Sequence, residues 1–405
     1  MLLDILLLAV MLAITGALFM PQLRDAAVWR ATVTPLASII GSGFLVVAPL
    51  VGHAVGIWAP LAMIVIVLLA YAVGGVVRFN IRRLEPELGR GGTAMQFVER
   101  LSNAALAAAY VISVAFYVRL LASFVLEPFG QDVSAWLPKL VASGVLLSIG
   151  VIGLVRGLHG LEWLEESAVN IKLGIIAALL IGLVSFDAGW LASGESIALH
   201  PIDDGVETLR LLAGMLLVVQ GFETSRYLGA AYEPALRIRT MRYAQWIAGG
   251  IYIVFVSLAL PLLGSHGEPA SETAIIGMSR QVASVLPAML VFAAVMSQLS
   301  AAIADTVGSG GMFEEASERR VPLRLGYALV VALAIALIWV ADIFAIIAIA
   351  SRAFAFYYLV QCVAAWLAAG RIDDRRRRLA LRFGVSLLGL LLSLVVEFAI
   401  SPEAR

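Results

Sequence analysis

The chain of 405 residues has few charged side chains and almost no cysteine. Charged residues make up 14 % of it, against about a quarter in soluble domains. They balance to a net charge of zero, so the chain lacks the basic surplus of nucleic-acid-binding proteins. The single cysteine, Cys362, excludes a disulfide within the chain. The histidines lack metal-ligand spacing and there is no Walker loop, so we expect no metal and no cofactor; the histidines are His53, His159, His200 and His266.

Long hydrophobic runs fill the chain instead. Hydrophobic residues make up 61 % of it, in blocks of about 20 residues, which is the length needed to cross a bilayer. The blocks predict an all-α polytopic protein of the cell membrane. We number the predicted spans 0 to 11, and their limits are 2–20, 34–56, 58–79, 103–128, 138–156, 168–186, 208–229, 241–264, 284–308, 323–341, 343–369 and 381–400.

Arginine and lysine are distributed unevenly between the two sides. If the connector before span 1 is cytoplasmic, 20 of the 28 cations face the cytoplasm and three face outside, as the positive-inside rule requires. We call the side with the 20 cations the basic face. Span 0 then starts outside and acts as an anchor. The alternative is a cleaved signal peptide, but no basic residue precedes the apolar run, and it ends in the bulky Leu-Phe-Met-Pro at 18–21.

Glycine motifs interrupt two of the spans, and the two motifs lie about half a chain apart. Span 1 contains Gly-Ser-Gly at 41–43, and span 6 contains Gln-Gly-Phe-Glu at 220–223. In a bilayer, unwound backbone is tolerated only where it lines a cavity or is buried in protein. Matched interruptions in two halves of a chain indicate the substrate site of a transporter built from inverted repeats. The alternative is close packing of helices through small residues.

Four stretches occur in an order and spacing that are similar to those of one family. They are the break at 41–43, Glu-Leu-Gly-Arg-Gly-Gly at 87–92, Gly-Phe-Glu at 221–223 with the Glu-Pro and arginines at 233–239, and 309–322 from Ser309 to Pro322. From about residue 34 to 400 the chain therefore resembles the amino acid–polyamine–organocation family of transporters. These share the five-plus-five inverted-repeat fold of the bacterial leucine transporter. Gly310 and the additional span 0 depart from the family pattern.

The resemblance implies a domain organisation and a function. It implies an extra N-terminal helix and connector over 1–33, and one transporter domain over 34–400. That domain comprises a first repeat at 34–186, a second repeat at 208–369 and an additional helix at 381–400. The implied function is secondary active transport, not an enzyme activity. The cargo would be an amino acid or a related small amine or organic acid, and spans 1, 2, 6 and 7 would rock against the rest.

The breaks of spans 1 and 6 are the candidate substrate site. Freed N–H groups and the positive end of the following half-helix in span 1 suit a carboxylate, and freed carbonyls in span 6 suit an ammonium. Phe222 is alternatively ordinary packing, and Gln220 alternatively binds a neighbouring helix. The predicted substrate-binding residues are Ile40, Gly41, Ser42, Gly43, Gln220, Gly221, Phe222 and Glu223.

Lys172 in span 5 is the main candidate for coupling. The resemblance implies that its ammonium occupies the place of the sodium ion in sodium-driven relatives, so we expect sodium-independent transport by proton coupling or exchange. The alternative is a lysine that snorkels to the cytoplasmic end of span 5. Ser297 and Ser300 in span 8 are candidates to face Lys172 and span 1, or they bond to their own backbone.

Acids and arginines inside the spans are costly in a bilayer, so each needs a function or a partner. Glu223 either carries a proton or pairs with Arg226, one helical turn away. Asp305 is either a proton relay or the partner of a buried arginine. Arg119, Arg226 and Arg352 either bind an anionic substrate or pair with these acids. The remaining alternatives are the same fold carrying a carboxylate or inorganic anion, and a channel or membrane scaffold.

Overall fold

A computed structural model describes residues 1–87, 92–129, 134, 136–158, 162–194, 197, 204–264, 273–317 and 319–400. These residues are mostly helical, and no strand occurs among them. The α-helices are α1 (Leu2–Leu18), α2 (Pro21–Arg24), α3 (Ala27–Ser42), α4 (Phe44–Val55), α5 (Ala59–Arg83), α6 (Thr93–Leu126), α7 (Leu137–Val155), α8 (Glu162–Ser193), α9 (Gly205–Gly214), α10 (Thr224–Tyr227), α11 (Pro234–Gly264), α12 (Ala274–Ser279), α13 (Leu286–Ala316), α14 (Leu323–Val340), α15 (Ile343–Ala369) and α16 (Arg375–Phe398).

These helices confirm the predicted all-α polytopic membrane fold. Within the described ranges, nine helical segments are long and apolar enough to cross a bilayer, and they correspond to spans 2 to 5 and 7 to 11. The other three spans are special cases: α1 has 17 residues, and spans 1 and 6 are each divided. Several helices are longer than their spans, since a helix continues into polar residues beyond the apolar core. The short helix α12 was not predicted.

Spans 1 and 6 break where the glycine motifs lie. In span 1, α3 ends and α4 begins on either side of Gly43, which has φ −126° and ψ 0°. In span 6, α9 continues as a 3₁₀ segment over Met215–Val219, and the helix resumes as α10. Gly221 lies in the unwound stretch at φ +116°, where a side chain is rarely tolerated.

The long helix α6 lies at the centre of the fold. It packs along α13 and α15, and its side chains Tyr117 and Phe124 are fully buried. The extra N-terminal helix α1 lies along α8, where Leu7 is fully buried. The Asp4 carboxylate accepts hydrogen bonds from Ser284 Oγ at 2.9 Å and from the Val285 amide at 3.2 Å, which fixes the start of α1 to the start of α13.

Some predictions fall outside the described residues. They are the central part of the 87–92 motif, at 88–91, and the three histidines His159, His200 and His266. The division into repeats at 34–186 and 208–369 and the outside position of the N-terminus remain predictions.

Candidate functional site

A cavity of about 690 Å³ opens at the basic face between α3, α6, α10 and α13. The exposed residues Arg30 and Glu315 line its mouth, whereas the lining residue Asp305 is only 4 % exposed. Tyr110 and Thr224 also contribute to the lining. This volume is in the range of sites for small-molecule ligands.

The buried end of the cavity continues toward Lys172. A narrower space of about 30 Å³ shares Thr34, Thr224 and Asp305 with the main cavity. Lys172 and Ser297 also line this narrower space. Four of the five predicted coupling residues therefore lie around one path that leads inward from the basic face, namely Lys172, Ser297, Ser300 and Asp305, whereas Glu223 does not line it.

The ammonium group of Lys172 joins three helices. Its Nζ donates hydrogen bonds to Ala37 O in α3 at 3.2 Å and to Ser297 Oγ in α13 at 3.1 Å. The residue is 5 % exposed and lies well inside α8, which begins at Glu162. The snorkelling alternative is wrong, because the ammonium is buried and bonded to the broken span 1.

Span 8 also holds the end of α3 through Gly41. The Gly41 carbonyl accepts hydrogen bonds from Ser297 Oγ at 3.2 Å and from Gln298 Nε2 at 3.0 Å. Ser300, the second serine predicted in this span, lines both the main cavity and the narrower space. Sequence reasoning missed Gln298, although an amide in an apolar span indicates a buried hydrogen-bond partner.

The two breaks contact each other directly. A Cβ atom on Gly43 would lie 2.7 Å from Val218 Cγ1, and one on Gly221 would lie 2.6 Å from the carbonyl carbon of Ser38. Both approaches are closer than any side chain allows, so Gly43 and Gly221 let the two backbones touch. Close packing thus accounts for these two glycines in this conformation.

Tyr252 in α11 also links the two broken spans. Its hydroxyl lies 2.9 Å from Ile39 O in span 1 and 2.8 Å from Val218 O in span 6, so these carbonyls share its single proton. The residue is fully buried. Sequence reasoning missed it, since a lone tyrosine in an apolar span does not indicate which helix it meets.

We expect Gly221→Ala to lower the free energy of unfolding by about 3 kcal/mol, since it adds backbone strain at positive φ and overlap with Ser38. The measurement is reversible unfolding of the purified protein in detergent. The control is Gly250→Ala, which has open space around it in α11 and should be neutral or slightly stabilising. Equal stability of the two variants would contradict the packed arrangement of the breaks.

The predicted substrate-binding residues lie next to the main cavity rather than in its wall. Among those whose side chains the structure describes, none lines that cavity. Ile40 and Gly41 line a separate space of about 20 Å³ together with Lys172 and Gln298. Thr224, which follows the predicted set in span 6, does line the main cavity.

Phe222 and Gln220 both contact neighbouring helices. The Phe222 ring stacks on Tyr358 in α15, with ring centroids 5.2 Å apart and planes inclined by 16°. Gln220 Nε2 donates to the Tyr117 hydroxyl at 3.2 Å. Gln220 Oε1 is buried and has no hydrogen-bond partner among the described residues.

Glu223 is fully buried beside the break that it follows. Its Oε2 accepts hydrogen bonds from the Gly221 amide at 2.9 Å and from the Tyr358 hydroxyl at 2.7 Å. Its Oε1 has no hydrogen-bond partner in the part of the chain that the structure describes. The predicted ion pair between Glu223 and Arg226 is wrong, because Arg226 binds other acids.

Arg226 belongs to a buried ion-pair network at the basic face. Its Nη2 lies 2.7 and 2.8 Å from the two carboxylate oxygens of Glu99, and its Nε lies 3.8 Å from Glu85. Glu85 also pairs with Arg237 at 2.5 Å. The Arg226 side chain is 4 % exposed and is engaged by two acids. Glu99 was missed because it is 127 positions away in the sequence.

The other two embedded arginines have different surroundings. Arg352 is exposed and donates from Nε and Nη2 to Ala399 O at 3.1 and 2.7 Å, so its predicted pairing with a buried acid is wrong. Arg119 donates to Ser123 Oγ, one turn further along α6, at 3.1 Å.

Asp305 occupies a position that suits a relay. Ser113 Oγ in α6 donates a hydrogen bond to its carboxylate. The same residue lines both the main cavity and the narrower space that reaches Lys172. Its role as a relay remains a prediction.

Three solved structures have a similar fold. MhsT in complex with L-phenylalanine has a TM-score of 0.65 and 13 % identity, over 91 % of this chain and 98 % of that one. A Na⁺-coupled sialic acid symporter in a substrate-bound outward-open state has a TM-score of 0.56 and 12 % identity, over 98 % and 96 %. The Eremococcus coleocola manganese transporter, in complex with an aromatic bis-isothiourea compound, has a TM-score of 0.55 and 14 % identity, over 91 % and 86 %.

Sequence comparison identifies the family. An uncharacterized protein of Aquifex aeolicus (strain VF5) is 45 % identical to this chain over 363 residues, which are 88 % of each protein. A family model described as APC superfamily transporter matches residues 21–399. The leucine-transporter fold of the structural neighbours agrees with this match. The predicted resemblance is confirmed, and the chain belongs to the APC superfamily of transporters.

Proposed function

We propose that this chain is a sodium-independent secondary transporter of an amino acid or a related small amine or organic acid. It works by proton coupling or by exchange. The observation that carries the proposal is the position of the Lys172 ammonium, which binds Ala37 O and Ser297 Oγ beside the break in span 1.

The chemistry around Lys172 supports sodium independence. A sodium ion binds carbonyl and hydroxyl oxygens, and here Ala37 O and Ser297 Oγ already accept bonds from a fixed cation. Ser297 also holds the Gly41 carbonyl. A second cation at this point would meet strong repulsion in a buried, low-dielectric site. The ammonium thus replaces the ion and fastens span 1 to spans 5 and 8.

The substrate site lies between the breaks of spans 1 and 6, at the buried end of the main cavity. Glu223 and Gln220 each have a buried oxygen without a hydrogen-bond partner among the described residues, which supports a polar ligand there when the breaks separate. Thr224 and Asp305 connect this region to the basic face. Rocking of spans 1, 2, 6 and 7 would open it to either side.

The contacts of the arginines weigh against the anion alternative. Arg226 is neutralised by Glu99 and Glu85, and Arg352 is exposed and bonded to a carbonyl at the end of α16. Neither lies in the wall of the main cavity as far as the structure describes it. Concentrative uptake would distinguish the transporter from a channel or a scaffold.

The substrate is found first, by a thermal-shift screen of the purified protein against amino acids, amines and organic acids, because a bound ligand raises apparent stability. Uptake of the hit is then measured in proteoliposomes. We expect the same initial rate with a sodium gradient and with choline in its place, and a rate that responds to a proton gradient or to internal substrate. Uptake that requires sodium would overturn the proposal.

A further inference from the structure

A second cavity, which we call the α11 groove, lies on the outside of the helix bundle. It has a volume of about 280 Å³ and lies between the α2–α3 segment and α11. Its walls are apolar or aromatic, and the hydroxyl of its one threonine, Thr32, is bonded to Val28 O at 2.6 Å. The side chains that form the groove on its two sides include Leu23, Ala26, Trp29, Tyr243, Trp246 and Ile247.

The groove lies at the depth where the headgroups of one leaflet meet the acyl chains. The helix α11 has 31 residues and is about 46 Å long, so its first turns extend beyond a hydrocarbon core of about 30 Å. Arg242 is the last charged residue before its apolar run, and Tyr243 and Trp246 follow at once. Trp246 is 59 % exposed, as expected for an aromatic side chain at the membrane interface.

The rim of the groove toward the basic face is positively charged. The Arg239 guanidinium lies 5.9 Å from the ring of Tyr243, and Arg242 is exposed beside it. Arg24 in α2, on the other side, already pairs with Glu166 at 3.5 Å, so Arg239 and Arg242 supply the positive charge of the rim. An apolar groove with a basic rim is complementary to a phospholipid with an anionic headgroup.

We infer that the α11 groove binds one anionic phospholipid from the leaflet at the basic face. One acyl chain fills the space between the α2–α3 segment and α11, and the phosphate lies by Arg239 and Arg242. The lipid thereby joins the connector after α1 to span 7. The site is separate from the transport cavity and does not depend on the proposed substrate.

The test titrates the full chain in detergent with phosphatidylglycerol or phosphatidylcholine. Native mass spectrometry counts the retained lipid, and the midpoint of thermal unfolding is measured in parallel. We expect the wild type to retain one phosphatidylglycerol, which raises the midpoint more than phosphatidylcholine does. Ile247→Trp, which fills the groove, should abolish retention, and the double variant Arg239→Gln with Arg242→Gln should remove the preference for the anionic lipid.

Two matched controls should behave as the wild type. Val254→Trp places a tryptophan at an exposed position of α11 that does not line the groove. The double variant Arg376→Gln with Arg377→Gln removes the same charge from the basic face at α16. Equal retention of both lipids by the wild type, or undiminished retention by Ile247→Trp, would overturn the inference.

A second measurement does not depend on whether Ile247→Trp folds. Phosphatidylglycerol with brominated acyl chains should quench tryptophan fluorescence more than brominated phosphatidylcholine, and Trp246→Phe should reduce the difference. Equal quenching by the two lipids would contradict a specific anionic site.

Discussion

Replacing Lys172 with alanine should lower the initial rate of uptake by about 100-fold or more. Two charge-assisted hydrogen bonds join the ammonium to residues that the structure describes, and each is worth about 1.5–3 kcal/mol. The loss of each bond from the transport cycle corresponds to a rate that is lower by roughly tenfold or more. The substitution also leaves Ala37 O without its charged donor beside the break. Uptake in proteoliposomes, with the substrate from the thermal-shift screen, measures the effect.

The chain offers a matched control, because it has only two lysines. Lys139 lies at the other end of the fold from the basic connectors, within 3.4 Å of Trp339 O, and Lys139→Ala should transport as the wild type does. Lys172→Arg keeps the charge but not the compact ammonium, so it should remain strongly impaired. Wild-type uptake and pH response in a folded Lys172→Ala protein would remove this residue from the mechanism.

Replacing Glu99 with alanine should lower the free energy of unfolding by about 3 kcal/mol, because it leaves the Arg226 guanidinium buried with one distant acid. Glu85 lies 3.8 Å from Arg226 and is already paired with Arg237, so it compensates only in part. The change in the free energy of unfolding is measured by unfolding the purified protein in detergent, with mixed micelles as the denaturant.

Two comparisons show whether the loss of stability in Glu99→Ala comes from a buried unpaired charge. The double variant Arg226→Met with Glu99→Leu removes both charges and should recover most of the stability. Asp374→Ala breaks the exposed pair with Arg377, which is 83 % exposed, and that ion pair contributes only about 0.5 kcal/mol. Asp374 also caps α16, so Asp374→Ala loses both the helix cap and the ion pair. Arg377→Ala loses only the ion pair and therefore gives the contribution of that pair. A Glu99→Ala protein as stable as Arg377→Ala would contradict the prediction.

The ion pairs of Arg226 and Arg237 also differ in what they connect during the conformational cycle. Arg226 follows the break in span 6, and Glu99 belongs to α6, the helix that contains span 3. If spans 1, 2, 6 and 7 move together, as the resemblance implies, this ion pair connects the moving part to the static part. The Glu85–Arg237 pair, by contrast, joins residues next to spans 2 and 7 and would move as a unit.

Sequence alone was sufficient for the membrane fold and for the positions of the breaks. Span length follows from the thickness of a bilayer, so apolar blocks of about 20 residues locate helices without knowledge of their neighbours. Glycine at 43 and 221 indicated the breaks, because unwinding and close approach are local properties of the backbone. Helix ends were less accurate, as α8 and α13 show, because a helix extends beyond the apolar core.

Tertiary structure alone decided which side chains meet. Glu223 and Arg226 are one turn apart, yet Glu223 accepts from Tyr358 and Arg226 binds Glu99. A buried charge is stabilised by the partner that best replaces its water, and that partner comes from whichever helix packs alongside. For the same reason the sequence identified Lys172 as an unusual residue, while only the packing of α3, α8 and α13 supplied the atoms that it binds.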